Sequence, residues 1–208
     1  MRISVIGHGS VGSALIRQWA ACGHEVIIGA RNPADEKLAK LLAIDQVTAA
    51  AIPDSIADTD AIVIAVPAQV TAELAKGLGD LSGRVVIDAT NSVFQKPDPY
   101  ENAFSAFKAL TNAKVAKCFN TTGAENMENP YYPVADDLDR KVAIDMFVAG
   151  SDREAKDITI KLSEDIGFIT HDFGGDDKVP LMEEFCKVWI NLAMSGMGRN
   201  FAFKILER

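Results

Sequence analysis

The 208-residue chain has few of the side chains from which proteins build metal centres and disulfide frameworks. Its three cysteines and three histidines are Cys22, Cys118, Cys186, His8, His24 and His171. The cysteines are odd in number and have no CxxC spacing, and the histidines are too far apart in sequence to suggest a ligand set. We therefore expect neither a disulfide framework nor a metal site.

Long hydrophobic runs are also missing. The longest stretch of apolar side chains, residues 61–68, is far shorter than the roughly 20 residues that span a bilayer. Residues 1–10 have neither the apolar stretch nor the small-residue cleavage site of a signal peptide. These absences predict a cytoplasmic protein with no membrane partner.

Positive charge is scarce as well. Twenty-one Lys and Arg residues against 29 Asp and Glu give a formal net charge of −8. An acidic chain repels phosphate backbones, so we expect no nucleic-acid partner. A small anionic ligand is still compatible with this charge, because the N–H groups at a helix N-terminus bind phosphate locally. The hydrophobic content of 48% is typical of a globular protein.

Apolar strands alternate with amphipathic helices along most of the chain. Strands are predicted at residues 2–6, 25–29, 61–66, 84–89, 114–119, 144–148 and 168–172. Helices are predicted at residues 10–22, 33–42, after Pro67 to about 78, 100–110, 151–166 (with Ser151 as N-cap and Glu154 completing a capping box) and from 177 or 178 onward. The pattern favours an α/β fold, a doubly wound, Rossmann-type, mostly parallel sheet with a C-terminal helical appendage. We expect one domain, residues 1–208, whose residues 177–208 form that helical segment.

The last predicted helix has an apolar stripe. Its members, at helical spacing, are Leu181, Phe185, Val188, Trp189 and Leu192. Such a stripe is expected to pack on the core or on a second subunit, and it is similar to helices that form homodimers. Gly196 and Gly198 interrupt the helix before residues 201–206.

A glycine-rich motif joins the first predicted strand to the first predicted helix. Its six residues are Gly7, His8, Gly9, Ser10, Val11 and Gly12. In a GxGxxG motif the first glycine permits a tight turn, the second admits a pyrophosphate and the third lets helix and strand pack closely. In this strand–turn–helix context the motif predicts dinucleotide binding, with a glycine-rich turn that has no ligand as the alternative.

The end of the second predicted strand indicates which dinucleotide is bound. Sites specific for NAD place a carboxylate there, about 20 residues after the glycines, to accept from the ribose 2′-hydroxyl. This chain has Gly29, Ala30, Arg31 and Asn32 instead, and its first carboxylate is Asp35. Arg31 offers a permanent charge for a 2′-phosphate, and Asn32 can donate a hydrogen bond and cap a helix that begins at Pro33. We therefore predict NADP(H) as cofactor, unless Arg31 is a surface residue and Asn32 only a cap.

Several further stretches occur together with these motifs. They are IGHGSVGSAL, GARNP, AVPAQV, VVIDATN, CFNTTGAENM and WINLAMSGMGRNFAFK. In this combination the sequence resembles the NADPH-dependent coenzyme F420 reductase-like family, and it is also similar to the oxidoreductase domain of the STEAP metalloreductases. The resemblance extends over nearly the whole chain.

The resemblance implies a second group of site residues. By analogy with the family, the reacting rings lie beside Val66, Pro67, Thr90, Asn91, Asn120 and Thr121. Each also has a structural explanation: Pro67 ends a strand, and Asn91 and Asn120 can tie loops together. The family's chemistry is hydride transfer between NADP(H) and a small-molecule acceptor, coenzyme F420 or a flavin. No dedicated catalytic side chain is expected, because the cofactors perform the chemistry.

Two alternative functions remain open at this point. One is an NADP(H)-binding sensor without turnover. The other is an NADP-dependent reductase of a small imine or hydroxy acid, although such enzymes need a larger helical domain and a catalytic lysine. The sequence leaves open the acceptor, the oligomeric state, the direction of transfer, and the roles of His8 and Lys37.

Overall fold

The computed structural model describes residues 1–134 and 137–208. The strands are β1 (Arg2–Ile6), β2 (Glu25–Ala30), β3 (Val47–Ala51), β4 (Ala61–Ile64), β5 (Val85–Asp88), β6 (Lys114–Lys117), β7 (Tyr131–Val134), β8 (Asp137–Ala143), β9 (Asp145–Ala149) and β10 (Ile169–Gly174). The α-helices are α1 (Ser10–Ala21), α2 (Ala39–Leu42), α3 (Ile52–Ser55), α4 (Thr71–Leu78), α5 (Ala103–Thr111), α6 (Ala124–Glu128), α7 (Arg153–Asp165) and α8 (Val179–Leu192).

Eight strands form one sheet in the order β10-β9-β6-β5-β4-β1-β2-β3. The first six strands are parallel and have the 3-2-1-4-5-6 order of the Rossmann fold. β9 then pairs antiparallel with β6, and β10 pairs parallel with β9. The strand order reverses between β1 and β4, which is where open α/β sheets bind their ligands. The predicted fold class is confirmed.

The short helices α3 and α6 and two strand regions have no counterpart in the sequence prediction. The edge strand β3, with the sequence VTAAA, pairs with β2. Alanine has little β-propensity, so the position of this strand comes from its neighbour in the sheet. The strands β7 and β8 form a separate two-stranded sheet.

The helix predicted from residue 100 begins at Ala103, and two other predicted helices have a different N-cap. The helix expected from Pro33 is a 3₁₀ turn at Glu36–Leu38 followed by α2, and Asp35 caps it by accepting from the Lys37 amide at 3.0 Å. The cap of α7 is Asp152, whose carboxylate accepts from the Ala155 amide at 2.9 Å. In both cases an aspartate nearer the helix supersedes the expected cap, so the assignments of Asn32 and Ser151 as caps were wrong.

The C-terminal segment is helical only as far as residue 197. A π-helical turn, Ala193–Met197, follows α8, and Gly196 (φ 108°) and Gly198 (φ 71°) adopt positive φ angles that end the helix. Residues 198–208 are not helical. The predicted stripe of α8 is divided, because Trp189 is buried whereas Leu181 and Val188 are 54% and 49% exposed.

The core lies on both faces of the sheet as two apolar clusters. Strands β1 and β4 are almost entirely buried, as expected for central parallel strands covered by helices. In the described part of the chain, no helix has the length and apolar character needed to cross a membrane.

Candidate functional site

A cleft of about 580 Å³ opens at the carboxyl ends of β1, β2 and β4. The register of the sheet places these ends together, because Ile6 pairs with both Gly29 and Ile64. Six of the predicted site residues line the cleft: Gly7, His8, Gly9, Arg31, Val66 and Pro67. The other lining residues are Ile6, Gly29, Ala30, Ile52, Ala65, Val70, Glu73 and Leu74, of which the sequence analysis singled out only Gly29 and Ala30.

Gly7 and Gly12 are required by the fold itself. Gly7 has φ 112°, and a Cβ atom there would lie 2.3 Å from the Ala65 carbonyl oxygen. A Cβ at Gly12 would lie 2.1 Å from the carbonyl oxygen of Gly7. These contacts match the tight turn and close helix packing predicted for the first and third glycines.

Gly9 is different, because the fold does not require a glycine there. It is exposed, has φ −71°, and a Cβ atom would meet nothing within 4 Å. Gly9 is also the N-cap of α1, which has neither a side-chain cap nor an acidic residue in its first turn. An open approach to uncapped N–H groups is what a diphosphate needs, so the loop fits the group that the motif predicts.

The other residues of the motif have mainly structural contacts. The His8 carbonyl accepts a hydrogen bond from the Ser13 hydroxyl at 2.8 Å, which stabilises the turn. Val11 packs against the core, and Ser10 is exposed. Neither Ser10 nor Val11 lines the cleft.

Arg31 and Asn32 differ in how the structure uses them. Arg31 is exposed, lines the cleft, and has no ion-pair partner among residues 1–134 and 137–208. The Asn32 side-chain oxygen accepts from the Ala34 amide at 3.2 Å, and Asn32 is not a lining residue. The guanidinium is therefore available to a phosphate, whereas the amide oxygen of Asn32 stabilises a turn.

The predicted residues after β5 and β6 lie outside this cleft, at the same edge of the sheet. Thr90, Asn120 and Thr121 are buried, and Asn91 is half-buried. The Asn120 amide donates to the Asn91 side-chain oxygen and to the Met182 carbonyl oxygen, both at 3.2 Å. Asn91 and Asn120 therefore do connect two loops and α8, which is the structural role considered for them.

Three buried charged residues lie directly behind these loops. The Lys117 ammonium is 2.9 Å from Asp88 Oδ2, 2.8 Å from Glu183 Oε1 and 2.6 Å from the Thr90 carbonyl oxygen. Burial alone would lower the pKa of Lys117, but the attraction of Asp88 and Glu183 holds that pKa above its usual value. Lys117 is therefore charged at neutral pH, and we call Asp88, Lys117 and Glu183 the buried triad.

The sequence analysis missed the buried triad because charged side chains are rarely buried. One signal was present in the sequence: Asp88 is the last residue of the otherwise apolar strand β5, and Lys117 is the last residue of β6, directly after two apolar residues. Glu183 lies on the buried face of α8 with Val179 and Cys186, at spacings of four and three residues. Once the structure shows which face of α8 is buried, the spacing identifies Glu183 as a charged residue on that face.

Three polar atoms around the buried triad have no hydrogen-bond partner in the described part of the chain. They are Thr90 Oγ1, Ser92 Oγ and Asn120 Oδ1. Unpaired buried polar atoms destabilise a protein, and in a native structure each one calls for an explanation, such as a bound water or ion or a catalytic role.

The two buried thiols near the site are not suited to nucleophilic chemistry. Burial raises the pKa of Cys118 far above its usual range, and burial together with the charge of Glu183 raises the pKa of Cys186 to about 12. Both thiols therefore remain protonated, and the thiol form is a poor nucleophile.

Comparison with known proteins supports the family resemblance. Residues 2–92 match the family described as NADP oxidoreductase, coenzyme F420-dependent. The F420-dependent NADP reductase of Methanothermobacter thermautotrophicus is 29% identical, with 99% of this chain and 94% of the relative covered. Human metalloreductase STEAP2 is 25% identical over 83% of this chain and 33% of its own length.

Solved structures show the same relationship. The putative F420-dependent NADP-reductase from Arthrobacter sp. FB24 has a TM-score of 0.79 and 26% identity, with 99% of both chains covered. The Streptomyces aurantiacus imine reductase has a TM-score of 0.67 at 17% identity, over 95% of this chain but 63% of its own, and shares the fold alone. The resemblance indicated by the motifs is thus confirmed, and the chain is an oxidoreductase related to the F420-dependent NADP reductases.

Proposed function

We propose that this chain transfers a hydride between NADP(H) and a deazaflavin of the coenzyme F420 class. One observation carries the choice of cofactor: at the end of β2, the small residues Gly29 and Ala30 line the cleft beside Arg31, which has no ion-pair partner in the described chain. The full-length likeness to reductases named for F420 and NADP supports the choice of acceptor.

The residues of the chain bind and orient the reactants. The turn from Gly7 to Gly12 and the first turn of α1 hold the diphosphate, with Gly9 leaving room for its approach. Arg31 forms charge-assisted hydrogen bonds to the 2′-phosphate. Val66 and Pro67 form the wall of the cleft at the end of β4 and direct the cofactor toward the ends of β5 and β6.

The bound cofactor and acceptor supply the hydride chemistry, which needs no acid or base from the protein. The contribution of the protein is geometry. Holding the reacting atoms about 3–3.5 Å apart removes much of the entropic barrier to a reaction between two molecules. The segments at Thr90–Ser92 and Asn120–Thr121 are rigidly held at the sheet edge, as this role requires.

A screen of electron acceptors tests the proposal. NADPH oxidation would be followed spectroscopically with F420, FMN, FAD and a ferric chelate in turn. The proposal predicts the highest kcat/KM with F420. NADPH binding without turnover of any acceptor would favour the sensor, and turnover of a small imine would favour the imine reductase alternative.

The enzyme is further proposed to act as a homodimer. The support is a group of apolar side chains exposed on α8 and the turn after it: Leu181, Val188, Met194 and Met197. Sedimentation equilibrium should give twice the mass of the chain. A Met194→Glu variant should sediment as a monomer, and a wild-type monomer at all concentrations would contradict the proposal.

A further inference from the structure

The segment Thr90–Ser92 is held mainly by charged side chains. Asp88 Oδ1 accepts from the Thr90 amide at 2.9 Å, and Lys117 donates to the Thr90 carbonyl oxygen at 2.6 Å. Glu183 Oε2 accepts from the Ser92 amide at 2.8 Å. The buried triad therefore fixes this loop from three sides, from β5, β6 and α8.

Every donor of the Lys117 ammonium is already used. Its three hydrogen bonds go to Asp88, Glu183 and the Thr90 carbonyl oxygen. Lys117 has no proton left to donate to a substrate, so the buried triad can act only through the groups that it holds. A buried ion pair contributes little net stability compared with apolar side chains of similar size, so stability alone does not account for it.

Three buried residues at the ends of β5 and β6 have side-chain oxygen atoms without a hydrogen-bond partner in the described chain. Thr90 is 4% exposed, Ser92 6% and Asn120 0%, yet Thr90 Oγ1, Ser92 Oγ and Asn120 Oδ1 have no partner in the described chain. Two hydroxyl groups that can donate and one carbonyl oxygen that accepts match the complement of a primary carboxamide. A nicotinamide ring carries that group.

We propose that Lys117, Asp88 and Glu183 are positioning residues that hold Thr90, Ser92 and Asn120 to receive the carboxamide of the nicotinamide. This inference rests on the proposed function and adds Ser92 and the buried triad, which no motif indicates. The dinucleotide must extend along the sheet from β1, where its diphosphate is proposed to bind, to β5 and β6. This distance is short, because β1, β4, β5 and β6 are neighbours in the sheet and adjacent strands are about 4.8 Å apart. A dinucleotide bound at β1 therefore reaches β5 and β6.

Two ligands, one with and one without the nicotinamide, distinguish binding of the nicotinamide from binding of the rest of the cofactor. Titration calorimetry would compare NADPH with 2′-phospho-ADP-ribose, which has the same diphosphate and 2′-phosphate but no nicotinamide. For Ser92→Ala and Thr90→Val we expect NADPH affinity to fall about three- to tenfold, the value of one hydrogen bond. The affinity for 2′-phospho-ADP-ribose should not change, and the melting temperature should not fall, because each variant removes an unpaired atom.

Glu183→Gln tests the buried triad itself. It should weaken NADPH at least as much as Ser92→Ala and again leave 2′-phospho-ADP-ribose unaffected, because the loop and not the diphosphate site is disturbed. Should Glu183→Gln not fold, the Ser92 and Thr90 variants still test the proposal. Thr159→Val is the matched control, since that buried hydroxyl donates to the Ala155 carbonyl oxygen at 2.6 Å in α7. It should lower the melting temperature and change neither affinity.

The outcomes are distinct. Undiminished NADPH affinity in Ser92→Ala and Thr90→Val, or equal losses for both ligands, would overturn the positioning role. Failure of the wild type to bind 2′-phospho-ADP-ribose would instead contradict the proposed function, because that ligand contains every group assigned to the glycine loop and Arg31.

Discussion

The two sides of the site are built in opposite ways. At the ends of β1 and β2 the chain presents backbone, glycines and one exposed cation, and a Cβ added at Gly9 would meet nothing within 4 Å. At the ends of β5 and β6 it buries three charged side chains, all satisfied by one another and by the loop. The first side is open to a highly charged diphosphate, and the second is rigid. Substitutions on the first side should therefore change binding without changing stability, whereas substitutions within the buried triad should change both.

The largest effect is expected at Gly9. The side chain introduced by Gly9→Val lies in the space that the diphosphate needs, so NADPH affinity should fall more than about a thousandfold, or about 4 kcal/mol. The unfolding free energy should hardly change, because that space is free of protein atoms. Fluorescence titration and chemical denaturation would measure the two quantities. Gly77→Val is the control, since a Cβ there also meets nothing within 4 Å and Gly77, in α4, is not one of the residues that line the cleft. Undiminished NADPH binding by Gly9→Val would show that the loop is not the phosphate site.

The second prediction concerns the stability of the opposite side. Lys117→Met leaves two buried carboxylates without their cation, so the unfolding free energy should fall by about 3–5 kcal/mol. Lys161→Met removes a lysine from the exposed pair with Asp165 and should cost less than about 1 kcal/mol. Urea denaturation of both variants gives the comparison. If both variants lost the same small amount of unfolding free energy, the buried triad would not stabilise the protein more than an exposed ion pair does.

Arg31 should show a smaller effect that is restricted to binding. A charge-assisted hydrogen bond contributes about 1.5–3 kcal/mol, so Arg31→Ala should weaken NADPH about ten- to a hundredfold. NADH has no 2′-phosphate, so its affinity should change little. Arg153→Ala, at an exposed arginine in α7, is the control. Equal losses for the two nucleotides would show that Arg31 does not recognise the phosphate, and a wild type that binds NADH as well as NADPH would contradict NADP specificity.

The smallest expected effect is a pH dependence of the stability that Lys117 provides on the buried side. The folded state raises the pKa of Lys117 above its ordinary value of 10.5, so the stabilisation that Lys117 provides is complete below that pH. The contribution is lost as the pH rises through the higher pKa of the folded state. The stability difference between wild type and Lys117→Met should therefore be constant from neutral pH to about 10 and then decrease. Denaturation curves across this range test it. A difference that decreases near neutral pH would mean that Lys117 is not held as a cation.

The sequence alone was sufficient to predict the glycine turn at the end of β1, which we propose holds the diphosphate. Glycine spacing, the strand before it and the helix after it are local features, so Gly7, Gly9 and Gly12 could be assigned by their roles. Arg31 was recognisable for the same reason, because the residue at the end of the second strand selects the nucleotide. The alternation of strands and helices likewise predicted the parallel sheet.

Only the tertiary structure revealed the buried side and the edge strand β3. Asp88, Lys117 and Glu183 are far apart in the chain, and each alone resembles an ordinary surface charge. They are buried because the strand order brings β5 beside β6, and the helix α8 places Glu183 within 2.8 Å of Lys117. β3 has an alanine-rich sequence that forms a strand only because β2 offers it a free edge. Local patterns determine elements and turns, whereas the burial of a charge depends on partners that the sequence does not place side by side.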